Sequence, residues 1–88
     1  MTNHRTLTPL QAAMIKLIAE NEMTVINGGK PSDLDDVGQV WVSCVIFSAE
    51  DKGVFTSLLN ARLVEHGGSG KEAWAGLTND GFAAYKAL

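Results

Sequence analysis

Little in this chain points to catalysis, to a membrane or to an oxidising compartment. Its 88 residues hold one cysteine, Cys44, so no disulfide can close within the chain. That thiol sits in an apolar run, where the expected role is that of a small buried hydrophobe. Two histidines, His4 and His66, have no neighbour in sequence that suggests a nucleophile or a zinc partner. Nucleophile elbows, zincin motifs, dinucleotide fingerprints and paired carboxylates are all missing, so neither an enzyme nor a cofactor is expected. The longest nearly apolar stretch, Val40 to Phe47, is far short of the about 20 residues that cross a bilayer. Residues Met1 to Thr6 carry no apolar signal core, and a soluble protein of the reducing cytoplasm is expected. A basic excess is lacking too: seven basic against ten acidic residues leave a net charge of −3. Any nucleic-acid binding would have to come from local clustering of cations.

What the chain does have is enough apolar content, 45%, for one domain with one core, residues 1–88, preceded by a loose polar arm at 1–6. Thr8 is a good N-cap, Pro9 suits the first helical position, and Gln11 completes a capping box. Leu10, Ala13, Met14, Leu17 and Ile18 then recur at helical spacing and predict a core-facing stripe on a helix ending near Asn21 to Met23. Thr24-Val25-Ile26 reads as a short extended piece. The following loop carries Asp33, Asp35 and Asp36, but Val37 and Cys44 stand where a calcium loop needs oxygen ligands, so no metal is expected. Residues 38–47 fit both helical and strand periods. A short buried helix is the preferred reading, with Trp41 in the core.

Ser48 caps a further helix running from about Ala49 to Asn60 or Ala61, with Glu50 and Asp51 in its first turn, where the macrodipole favours acid. Val54, Phe55, Leu58 and Leu59 share one side. Lys52, Thr56 and Asn60, at i, i+4 and i+8, form a polar row on the other, flanked by Ala49, Gly53 and Ser57. Two short strands follow, Leu63 to His66 and Glu72 to Leu77, joined by Gly67-Gly68-Ser69-Gly70-Lys71, with Trp74 lying across the hairpin. Thr78 caps a last helix whose Phe82 and Tyr85 pack back, while Gly81 permits close approach to a neighbour. Leu17, Phe55, Leu58 and Phe82 are the expected core.

Two local patterns resemble a known family. Ser57-Leu58-Leu59-Asn60-Ala61-Arg62-Leu63-Val64-Glu65 is similar to the end of a recognition helix entering a wing strand. Leu77-Thr78-Asn79-Asp80-Gly81 is similar to the L-T-x-x-G step after the wing of MarR-like regulators. Arg62 departs from the pattern, which has glycine there because a left-handed residue costs a side chain about a kilocalorie per mole or more. The resemblance implies an α+β, mainly helical winged helix-turn-helix with a small two- or three-stranded β wing, and double-stranded DNA as the ligand. Lys52, Thr56 and Asn60 would then meet base edges, while Arg5, Arg62, His66, Ser69 and Lys71 meet phosphates. It also implies a symmetric homodimer through the first and last helices. The alternative is a protein-interaction module on the same scaffold, such as a phage or mobile-element adaptor or inhibitor. There Asp33, Asp35, Asp36, Glu50 and Asp51 would steer a basic host protein.

Overall fold

Thr8, Pro9 and Gln11 set the start of α1 (Pro9–Ala19) through the expected capping box: the Thr8 hydroxyl accepts from the Gln11 N–H at 3.1 Å, and the Gln11 side chain accepts from the Thr8 N–H at 3.0 Å. The same Gln11 amide donates to the Ser57 hydroxyl at 3.0 Å, tying this helix to α2 (Ala49–Asn60). A computed structural model describes residues 7–21, 31, 33–34 and 37–88 of the chain. Arg5, Asp35, Asp36 and the Thr24-Val25-Ile26 segment lie outside the described residues.

Between the first two helices run β1 (Val40–Trp41) and a single 3-10 turn, Val42–Cys44. The short buried helix expected over 38–47 does not form. Val40 and Trp41 pair with Ala75 and Trp74, and the Val42 N–H continues the ladder to the Ala73 carbonyl at 2.9 Å. A helix here would forfeit these backbone bonds, and β-branched Val40 and Val42 suit an extended chain. The stretch is not buried either: Val45 alone of residues 40–47 is fully buried, Trp41 is 53% exposed, Phe47 is 74% exposed, and the Cys44 thiol lies at the surface. A two-residue edge strand followed by one tight turn is too short to cover both of its faces.

After α2 the chain forms β2 (Val64–Gly67), a second 3-10 turn at Gly70–Glu72, β3 (Trp74–Leu77) and α3 (Asn79–Lys86). Strand β3 is central in an antiparallel sheet ordered β1-β3-β2. Among the described residues the result is a small, mostly helical α+β arrangement of three helices on one three-stranded sheet.

The core gathers Met14, Ile15, Ile18 and Ala19 of α1 with Val45, Phe55, Leu58, Val64, Ala75 and Leu77. Phe55 and Leu58 stand as the sequence predicts, but Leu17 is 45% exposed and Phe82 only half-buried. Helix α1 is turned by roughly 100°, one residue's rotation, from its predicted stripe. It meets α2, α3 and β3 together, so its interior sector is centred on Ile15 and Ile18. Leu10, Ala13 and Leu17 fall on the flank.

Helix α2 ends in a Schellman motif: the Arg62 N–H donates to the Leu59 carbonyl and the Leu63 N–H to the Leu58 carbonyl, both at 3.0 Å. Arg62 takes the left-handed conformation (φ 62°) that the motif requires and glycine ordinarily supplies. Its carbonyl accepts from the Thr78 hydroxyl at 2.6 Å, and that hydroxyl accepts in turn from the Gly81 N–H at 3.0 Å as the cap of α3. Gly81 sits directly against the Leu63 carbonyl, whose oxygen a Cβ would overlap. Gly81→Ala should therefore cost about 1–3 kcal/mol by forcing α3 off the strand. Gly53→Ala, at a mid-helix site with open space around it, should stabilise by about 0.5–1 kcal/mol. Thermal melts of the two variants beside the parent check both signs.

The far end of α3 is fastened to α1. The Tyr85 hydroxyl donates to the Glu20 carboxylate at 2.6 Å. Burial, that hydrogen bond and the Glu20 charge, in this order, push the phenol up to about 12. Because the folded value lies above the unfolded one, the stability this group contributes is complete below about pH 10 and is lost as pH rises toward 12. Tyr85 is the only tyrosine. Tyrosinate absorbance should therefore titrate near pH 12 in the native protein and near 10 in denaturant, with Glu20→Gln lowering the native midpoint. A native midpoint near 10 would contradict the contact.

Candidate nucleic-acid interface

Helix α2 carries the polar row. Ser48 caps it, accepting from the Asp51 N–H at 3.1 Å, and Asp51 accepts from the Phe47 N–H at 2.9 Å. Asp51 is thus half-buried and occupied in holding the helix start, whereas Glu50 is exposed. With Phe55 and Leu58 in the core, Lys52, Thr56 and Asn60 all emerge on the solvent side. Eight residues at 1.5 Å rise make the row about 12 Å long, close to the width of a DNA major groove. Of the small neighbours expected to leave it open, Ala49 and Gly53 are exposed. Ser57 is not: it is half-buried, receives the Gln11 amide and donates to the Val54 carbonyl at 2.6 Å. That makes it part of the α1–α2 joint.

Beyond the helix, Arg62 is exposed at the Schellman turn, where a cation suits the negative end of the dipole. Ser69 and Lys71 are exposed at the hairpin tip. Gly68 (φ 73°) and Gly70 (φ 58°) let the tip fold into its 3-10 turn, and a Cβ on Gly68 would meet the Glu72 carbonyl. His66 lies on β2, and its ring meets Phe55 edge-on, with centroids 6.1 Å apart and planes at 75°. It braces β2 against α2, although the residue as a whole stays exposed. Asp33 is exposed. No set of three His, Cys, Asp or Glu side chains among the described residues is grouped to hold a metal, and no described helix is long and apolar enough to cross a membrane.

Two surfaces escaped the sequence reading. Leu10 (48% exposed), Leu17 and Phe47 line one shallow groove with Ala13, Met14, Val45, Asp51 and Val54. Its signal was present in the stripe Leu10, Ala13, Leu17, but periodicity cannot say which edge of a stripe faces inward. The second is the outer face of the sheet, where Trp41 and Trp74 are cross-strand partners. Recognising it required the strand assignment of Val40 and Trp41. Searches against protein families, curated proteins and solved structures found no match to the chain.

Proposed function

We propose that this chain is a small non-enzymatic winged-helix protein that binds double-stranded DNA through α2, with the second helix of the motif reduced to the 3-10 turn Val42–Cys44. The reading is carried by the row Lys52, Thr56, Asn60: three long or hydrogen-bonding side chains, all exposed, on a helix whose opposite face is fixed in the core. Arg62 and Lys71 extend it with cations for phosphates, which orient the duplex without specifying its sequence. Under this reading Asn60→Ala and Thr56→Ala lose sequence discrimination, about 1–3 kcal/mol for a good base contact. Lys71→Ala weakens all duplexes alike and lowers the salt slope by about one unit. Duplex titrations at two salt concentrations read both effects, and no binding even at low salt would reject the proposal.

The functional unit we propose is a dimer of two half-site readers, joined by the exposed flank of α1. That patch carries both a projecting ring, Phe47, and an apolar recess between Leu10 and Leu17, so two copies related by a twofold axis fill each other's groove. Ala13 between the two leucines allows close approach of the helices. Sedimentation at micromolar concentration should give the mass of two chains, and Leu17→Glu should give one. A monomeric parent, unchanged by duplex DNA, would rule the dimer out.

A second reading, a protein-interaction module on the same scaffold, is favoured by the net charge of −3 and by the half-exposed Trp41. Cationic protein segments are the partners that such a surface suits.

A further inference from the structure

The face of the sheet turned away from the core has a chemistry of its own. Alternation along β3 sends Ala75 and Leu77 inward, where both are buried, and Trp74 outward. On that outer face Trp74 stands between Trp41 of β1 and Gly67 of β2, its two cross-strand partners. The Trp74 indole lies across β2: a Cβ on Gly67 would come within 2.6 Å of Cζ2 and 2.7 Å of Nε1. Trp41 keeps 53% of its surface in water. Glu65, two residues before Gly67 and so on the same face, is exposed, and Glu72, just before β3, is exposed as well. Between residues 63 and 77 the only lysine or arginine is Lys71.

We propose that this outer face binds a basic, extended segment of a partner protein, its guanidinium or ammonium groups resting on the Trp41 and Trp74 indoles and facing the Glu65 and Glu72 carboxylates. Indole faces attract cations through their quadrupole, and arginine both stacks on them and pairs with carboxylates. The two carboxylates choose the occupant. Unpaired bases also stack on tryptophan, but their phosphates would meet Glu65 and Glu72, with Lys71 the only lysine or arginine of residues 63–77 to offset them. The inference rests on the protein-recognition reading and is separate from the α2 row.

Calorimetric titration of the whole chain with capped hexa-arginine, hexa-glutamate and oligothymidine tests it. Hexa-arginine should bind and hexa-glutamate should not. Trp41→Ala and Glu65→Gln, both at exposed positions, should each weaken hexa-arginine about three- to five-fold, as for an exposed cation–π or charge contact, while Glu50→Gln and Lys16→Ala, also at exposed positions, leave it unchanged. Unaltered melting temperatures would show that the losses are local. Hexa-arginine binding that is insensitive to Trp41→Ala and Glu65→Gln but weakened by Glu50→Gln overturns this face and leaves protein recognition standing. No hexa-arginine binding at all overturns both. Oligothymidine binding abolished by Trp41→Ala overturns the proposal in favour of single-stranded nucleic acid.

Discussion

The contact between the Leu63 carbonyl and Gly81 decides how the second half of the chain assembles. Helix α2 must stop, reverse into β2 and leave space for α3, and each need is met within a few residues of that point. The left-handed Arg62 turns the chain, at a conformational cost of about 1 kcal/mol or more for a non-glycine residue. Its carbonyl is held by the Thr78 hydroxyl, which at the same time caps α3. The Thr78 N–H also donates to the Leu63 carbonyl at 3.2 Å. Since that carbonyl lies against the first turn of α3, only a residue without a side chain fits at 81. Leu77, Thr78 and Gly81 of the L-T-N-D-G step thus each answer a separate demand: core, cap and clearance.

Helix α1 plays the matching role for the first half. Gln11 fastens its start to Ser57 of α2, Tyr85 fastens its end to α3, and the buried Asn21 side chain donates to the Ile18 and Gly38 carbonyls at 2.7 Å, holding the approach to β1. A helix held on three sides has little freedom in choosing its inner face. Ile15 and Ala19 become interior although they lie off the amphipathic stripe, and Leu10 and Leu17 are left on a groove open to solvent. The exposed apolar surface therefore follows from how the core is closed. It is also the surface on which self-association is proposed.

The two proposed recognition faces separate by chemistry. In the α2 row Lys52, Thr56 and Asn60 the exposed groups are hydrogen-bonding or cationic, while the outer sheet face is aromatic and acidic. Under the proposed duplex binding, a chain whose net charge is −3 would gain from this division, because carboxylates distant from the α2 row repel a duplex less than carboxylates beside it. Glu50 remains at the start of that helix, where the dipole favours it.

By itself the sequence determined whatever depends on near neighbours. The Thr8 capping box, the Ser48 and Thr78 caps, the polar row of α2, the glycine-rich hairpin with Trp74 across it and the strain at Arg62 are all set by spacings of a few residues, and all were legible. What only the tertiary structure decided concerns residues whose fate depends on distant partners. Val40 and Trp41 are extended because β3 offers them an edge, a pairing across more than thirty positions that local propensity cannot register. That pairing exposes Trp41, Cys44 and Phe47, which an apolar run had suggested were core. Leu17 and Ile15 exchange their expected places because burial is fixed by how many elements a helix meets, and periodicity reports only that one side is apolar. Likewise the contact of the His66 ring with Phe55 joins β2 to α2 in a way that no local spacing marks.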